Sequence, residues 1–346
     1  MSDACLVCFL YAVGRVPGNA ASNQRRRGLI MLDAVQGLFL SYVSGGGGVE
    51  TAYHFNVSFD GGQTQTPLLM DTGSPWLNVG ADYLPDGTYQ VIVPQPPYTH
   101  PFYSSSGNAY QGQWVTVSAI VSGGNGASFT VPSLTIFRST SPSNVAMMGV
   151  STRMTGLDPL NIFLNVPEIV AGTWAPGYML DQNGVLFGYD AALAQQFVQV
   201  PVNMNLGQRT ASASVTLSPP ANSGLTPYDA TLPFLMDTGI DYTIITPNQP
   251  GNPPPNPADW EETNPAGGQM LIPDVTVGVV LGGVSWGFNT SQCGGPTVNP
   301  AYARLAVPSQ YGILNTGRHF LASYKYMIQL DERIGATTGV MGFLKV

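Results

Sequence analysis

The residues best suited to chemistry come in two nearly matching stretches. "PLLMDTGS" fills positions 67 to 74 and "PFLMDTGI" fills 233 to 240, which sets Asp71 and Asp237 166 residues apart. In each stretch an apolar run delivers a carboxylate to the end of a buried strand. The glycine permits a sharp turn there, and the threonine hydroxyl can bond into the loop. A single Asp-Thr-Gly is a common turn. Two copies, alike at six of the seven positions from Pro to Gly and one in each half of the chain, point to duplication and a pseudo-two-fold axis that brings the acids face to face. Two carboxyls so close do not both ionise cheaply, so they share one proton and titrate as a unit. The ionised member can take a proton from a water while the protonated member donates to a carbonyl oxygen. Water can then attack an amide without a metal or a covalent nucleophile.

Short strands must position these acids. At 346 residues the chain exceeds what one core usually supports, and its 41 glycines and 29 prolines interrupt it too often for long helices. An all-β, bilobal architecture is expected. "TAYHFNVSFDGGQTQTPLLMD" alternates around Tyr53, Phe55, Val57 and Phe59, turns at Asp60-Gly61-Gly62 and resumes at Leu68, so it reads as a hairpin feeding the first acid. Further strands are expected around Trp114, Val117, Ile120, Phe129, Leu134 and Ile136. Residues 1–46, ending in a glycine run, read as a leader, pro-segment or disordered stretch. Residues 47–192 read as the lobe carrying Asp71, and 193–346 as the lobe carrying Asp237. "TGLDPLNIFLNV" at 155 to 166 is the best helix candidate, and the proline-rich segment at 247 to 260 reads as an exposed loop.

With these residues in place, the chain resembles the pepsin-like aspartic proteases over about residues 50 to 344, nearest to the fungal polyporopepsin-like branch. The resemblance implies the pepsin-like acid-protease fold with pseudo-two-fold lobes, and catalytic roles for Asp71 and Asp237. It also implies that Ser74 hydrogen-bonds the first acid, that Gly73 and Gly239 offer backbone contacts to substrate, and that a flap tyrosine closes over the peptide. "PFYSSSGNAYQGQWV" supplies a flap hairpin with its tip near 106–108, which assigns the flap to Tyr103 and a pocket wall to Tyr110. Met147-Met148-Gly149 matches the family's packing beside the first catalytic loop. Gly317, Phe320, Leu321, Tyr324 and Asp331 fall in the order of its C-terminal stretch. The implied partners are polypeptide substrates and pepstatin-like inhibitors, with no metal and no cofactor. The chain departs from the family at Ile240, at Trp76 with Asn78, and at the proline-rich loop after Thr246, which replaces a stretch that is often helical in relatives. Ile240 stands where a Thr or Ser hydroxyl usually supports the second acid, so one hydrogen bond is expected to be lost. Trp76 comes two places early for the tryptophan that braces the flap, and Asn78 holds that place.

Other chemistries fit less well. "GVSWG" at 283 to 287 matches a nucleophile elbow, but no helix signal follows Ser285 and no acid lies between it and His319. His54, His100 and His319 lack metal-ligand spacing. Charged residues make up only 9% of the chain, the formal charge is -8 and lysine occurs twice, so there is no basic stripe for nucleic acid. Three cysteines form no disulfide framework, and Cys5 and Cys8 lack the setting of a redox pair. "ACLVCFLYAVG" at 4 to 14 has the length of a signal-peptide core and is too short to anchor in a bilayer. A secreted or acidic vacuolar monomer is therefore expected. The rival reading is a weak or inactive protease-fold protein that binds or inhibits, because fold alone does not fix function.

Overall fold

The computed structural model describes residues 37–98, 102–103, 108–205, 208–248, 256–264, 267–294, 299–308 and 312–346, with the backbone alone at 102, 103 and 108. Residues 1–36 of the candidate leader, with Cys5 and Cys8, lie outside these residues.

Strands form where side chains alternate. In Ser212–Ser218 the buried positions are Ala213, Val215 and Leu217, and every residue between them is exposed, as a sheet with one wet face requires. Where both faces are covered the alternation vanishes, and Leu77–Gly80, Gly177–Leu180 and Gly184–Phe187 are buried throughout.

Three seven-stranded sheets result. In the first half, Thr66–Asp71 pairs antiparallel with His54–Ser58 and parallel with Ala146–Gly149, which in turn runs antiparallel to Leu77–Gly80. Leu77–Gly80 continues in parallel to Ser128–Ser141. His54–Ser58 also pairs with Gln111–Ser122, which curls the sheet toward a barrel. The second half repeats the arrangement. Tyr228–Leu235 runs parallel to Ile313–Asn315, which is antiparallel to Thr243–Thr246, itself parallel to Ala303–Leu305. Both acids thus sit at or just past the end of a strand whose parallel neighbour arrives from late in its own half. This is the bilobal, nearly all-β pepsin-like architecture, with lobes related by a pseudo-two-fold.

The third sheet joins the halves. It runs in the order Leu38–Ser41, Gly184–Phe187, Gly177–Leu180, Tyr324–Leu330, Gly339–Lys345, Val198–Asn205 and Gln208–Thr210, drawing strands from both sides of the expected boundary at 192/193. Its first strand corrects the boundary expected after residue 46. Leu38–Ser41 is in register with Gly184–Phe187, Leu40 is fully buried and Tyr42 stacks on Tyr53 at 4.4 Å. The glycine run at 45–48 is therefore a turn inside the folded unit. Its composition resembles a linker because tight turns and linkers both favour glycine.

Two other expectations need revision. The helix expected at 155–166 is broken into two 3-10 turns, Thr155–Leu160 and Ile162–Asn165. Pro159 lacks the amide needed to continue a helix. Asn161 turns its side chain to the backbone, donating from Nδ2 to Val150 O at 2.8 Å and Ser151 O at 3.1 Å while Oδ1 accepts from Phe163 N. Within the proline-rich segment, Pro257–Trp260 forms one helical turn rather than loop. Pro257 occupies a first-turn position where its missing amide costs nothing, Asn256 caps the turn and Trp260 is buried.

A buried ion pair fastens the halves behind the acids. Arg209 has no exposed surface, forms a two-pronged bond to the Asp158 carboxylate, and donates from Nε to Thr152 O at 2.6 Å and from Nη1 to Ala336 O at 2.7 Å. Asp158 accepts a further bond from Gly335 N. Removing one partner leaves the other charged and unpaired in the core. Arg209→Met is therefore expected to lower unfolding free energy by about 3–5 kcal/mol in a urea titration. A loss below about 1 kcal/mol would show that the pair contributes little.

Candidate active site

Asp71 ends its strand where the parallel neighbour closes over it, and Asp237 follows two residues after the end of Tyr228–Leu235. Gly149 is in register with Asp71, and Val150 N donates to Asp71 O at 2.8 Å. The next residue builds the link between halves. Thr72 N donates to Thr238 Oγ1 at 3.1 Å and Thr238 N to Thr72 Oγ1 at 3.0 Å. The hydroxyls pass their own protons onward, Thr72 Oγ1 to Met236 O at 2.5 Å and Thr238 Oγ1 to Met70 O at 2.7 Å. Four reciprocal hydrogen bonds therefore fix the two loops one residue from each acid, in a place almost free of solvent.

The glycines of the repeated triplet have a purpose different from the turn expected of them. Neither Gly73 nor Gly239 has a positive φ. What they supply is clearance across the axis. A Cβ at Gly73 would lie 2.5 Å from Asp237 Oδ2, and one at Gly239 would lie 2.9 Å from Asp71 Cγ. Each glycine thus lets the opposite acid approach. Their N–H groups are occupied by the acids of their own loops, Gly73 N to Asp71 Oδ1 at 2.7 Å and Gly239 N to Asp237 Oδ1 at 2.9 Å. That leaves their carbonyls for any bound peptide.

The remaining oxygens are held by different groups. Ser74 Oγ donates to Asp71 Oδ2 at 2.5 Å, as expected from its position. The bond expected to be lost at Ile240 is made from elsewhere, because Asn315 Nδ2 donates to Asp237 Oδ2 at 2.8 Å. Sequence reasoning passed over Asn315, which lies 78 residues from its acid. Both carboxyls are more than nine-tenths buried. Burial first, and then the charge and hydrogen bond of Asp237, push the Asp71 carboxyl up to about 8.

Two cations, the buried Arg318 and the half-buried Arg153, also feel the pair. Burial pulls the Arg153 guanidinium down while the charges of Asp237 and Asp71 push it up, and Arg318 is lowered by burial and raised first by Asp241. Arg318 further donates to Val49 O and Glu50 O, tying the second loop to the first half. Neither arginine was singled out by its sequence setting.

The hairpin expected over the site is present as backbone, with Phe102–Tyr103 antiparallel to Asn108–Ala109 and Tyr103 opposite Asn108. The Tyr103 side chain and residues 104–107 lie outside the described residues. Tyr110 is buried in a cluster with Trp114, Phe137, Val145 and Leu160 at the foot of the hairpin. Trp76 packs edge-on against Trp114 at 5.5 Å. Asn78 is fully buried in the neighbouring strand, and neither its amide oxygen nor its amide nitrogen has a hydrogen-bond partner among the described residues. Ser285 lies within the strand Val284–Asn289, with no helix directly after it, so the nucleophile-elbow geometry is absent there. Among the described residues no cluster of three or more His, Cys, Asp or Glu is placed to hold a metal, and no helix is long and apolar enough to cross a membrane.

No family model matches the chain, and no curated protein matches it in sequence. Its likeness to solved proteins is one of shape. It superposes on basic 7S globulin from soybean with a TM-score of 0.55 at 11% identity, covering 90% of this chain and 97% of that one. It superposes on the protein named edgp with a TM-score of 0.52 at 12% identity, covering 88% and 94%. Identities this low establish the pepsin-like fold and leave function to the site.

The raised Asp71 carboxyl has a consequence for stability. Between the ordinary value of 3.8 and about 8 the folded state keeps a proton that the unfolded chain releases, so stability falls as pH rises through that window. Asp71→Asn removes the titrating group. The variant is expected to match the parent near pH 4 and to exceed it at pH 8 by about 1–3 kcal/mol, read from melting temperatures across the range. A variant less stable than the parent at pH 8 would contradict this.

Proposed function

We propose that the protein is an aspartic endopeptidase that hydrolyses an extended polypeptide laid across the Asp71–Asp237 pair at acid pH. The observation that carries this reading is the pair itself. Two buried carboxyls from opposite halves lie close enough for the charge of Asp237 to raise the Asp71 carboxyl, and nothing in the scaffold requires their mutual repulsion. A water held between them loses a proton to the ionised member as it attacks the scissile carbonyl carbon, while the protonated member donates to the carbonyl oxygen. The gem-diol intermediate collapses with proton transfer to the leaving amine, and the pair returns to its single-proton state. Asp71 and Asp237 are the catalytic residues in this reading, Ser74 supports Asp71, and Tyr103 closes over the peptide. The Gly73 and Gly239 carbonyls face the substrate. The reading includes action as a secreted or acidic vacuolar monomer, and occupation of the same site by pepstatin.

A second reading is favoured by specific residues. Ile240 and the buried amide of Asn78 depart from a working protease, and the soybean neighbour bears the name of a globulin rather than of an enzyme. On that reading the chain uses the fold to bind a protein without cleaving it.

Incubation with an unfolded protein at about pH 3–5 separates the two. Cleavage that pepstatin blocks, and that falls at least ~1000-fold in both Asp71→Asn and Asp237→Asn, is the expected result. Folded protein that cleaves nothing in this range would favour the binder.

A further inference from the structure

The two acids are supported by donors from different positions. The offset of 166 residues that maps Asp71 onto Asp237 also maps Ser74 onto Ile240, whereas strand register sets Asn315 in the place of Met147, opposite Leu235 and Ile244 as Met147 is opposite Leu69 and Asn78. In the first half the hydroxyl of Ser74 reaches its acid, and position 149 must be glycine, because a Cβ there would lie 2.7 Å from Ser74 Oγ and 2.3 Å from Trp76 O. In the second half the hydroxyl is missing at 240, the glycine is kept as Gly317, where a Cβ would lie 2.5 Å from Tyr242 O, and the amide of Asn315 two residues before it reaches the acid instead. The donor has moved from the catalytic loop to the neighbouring strand.

The replacement is not chemically equivalent. A serine hydroxyl can donate to a carboxylate or rotate to accept from a carboxylic acid. An amide NH2 can only donate. Nor can the Asn315 amide flip, because its Oδ1 accepts from Gly317 N at 3.0 Å, and Gly317 is turned into place by a φ of 63° that favours glycine. Both oxygens of Asp237 therefore face groups that only donate, Gly239 N–H at Oδ1 and Asn315 NH2 at Oδ2. Asp71 faces one such group and one that can serve either form.

We propose that Asn315 is a positioning residue that holds Asp237 as the ionised member of the pair, and so makes Asp237 the base toward water and Asp71 the acid toward the peptide carbonyl. This assignment rests on the hydrolytic reading for its roles in turnover, but the placement of the proton stands on the hydrogen bonds alone. The raised Asp71 carboxyl agrees with it. Asn315 is 94% buried (6% exposed) and its amide has both ends satisfied, so the arrangement is fixed before any ligand arrives.

The test compares Asn315→Gly, which removes the amide, with the double variant Ile240→Ser/Asn315→Gly, which restores a hydroxyl at the position matching Ser74. In Asn315→Gly the acid limb of the kcat/KM profile is expected to move up by about one pH unit, with KM little changed, and in the double variant it should return toward the parent. A second readout needs no turnover. The melting temperature of Asn315→Gly should fall more at pH 7, where the pair is charged, than at about pH 1, well below the ordinary carboxylate range. An unmoved limb together with equal melting losses at the two pH values would overturn the assignment and reduce Asn315 to a packing residue. If the parent cleaves nothing, the melting comparison alone decides where the proton sits, and the missing turnover counts against the protease reading instead.

Discussion

Everything at this site depends on the exchange of hydrogen bonds between Thr72 and Thr238. Each hydroxyl accepts from the other residue's backbone amide and donates to a carbonyl of the opposite strand, at Met236 and Met70. The individual bonds are worth only about 1 kcal/mol net. Their value lies in reciprocity, because a buried donor left without its partner would cost more than the bond gains. The loops therefore have one low-energy arrangement. That arrangement sets the preceding residues, Asp71 and Asp237, against each other at a separation neither would choose alone. The glycines that follow allow the approach, and the Arg209–Asp158 pair holds the strand ends behind it.

A symmetric frame holds an asymmetric pair. The backbone around the acids repeats in both halves, down to the parallel strand at each acid and the glycine amide on each Oδ1. The difference is confined to the group on each Oδ2, a hydroxyl in one half and an amide in the other. Symmetry supplies the shared proton and side chains decide its owner. A duplicated protein can in this way give two chemically identical acids distinct roles without altering its fold.

What was legible in the sequence was what the chain writes locally. The repeated triplet, the all-β class and the hairpin before Asp71 follow from residue types within a few positions of one another, and Ser74 was found because it lies three residues from its acid. Asn315 was missed because its contact spans 78 residues; the available signal was the match of Met147-Met148-Gly149 to Asn315-Thr316-Gly317, which puts an amide where the first half has an apolar side chain. The glycine run at 45–48 misled because its composition cannot distinguish a turn within a fold from a linker before one. The segment at 155–166 carried helical spacing, but Pro159 and the backbone bonds of Asn161 outweighed it. Pro257 was read as a breaker, although at the first turn of a helix it is a starter. The solved proteins of similar shape share only 11–12% of their residues with this chain, so the fold persists on pattern and frame while nearly every letter differs.

The central claim is that two carboxyls share one proton in a buried, symmetric frame. It is tested most directly by following the side-chain carboxyl resonances of 13C-labelled aspartate through a pH titration of the folded protein. The account predicts that the resonances of Asp71 and Asp237 respond together, and that the second proton of the pair is released only well above the ordinary carboxylate range. Two independent titrations, both complete by about pH 5, would contradict it.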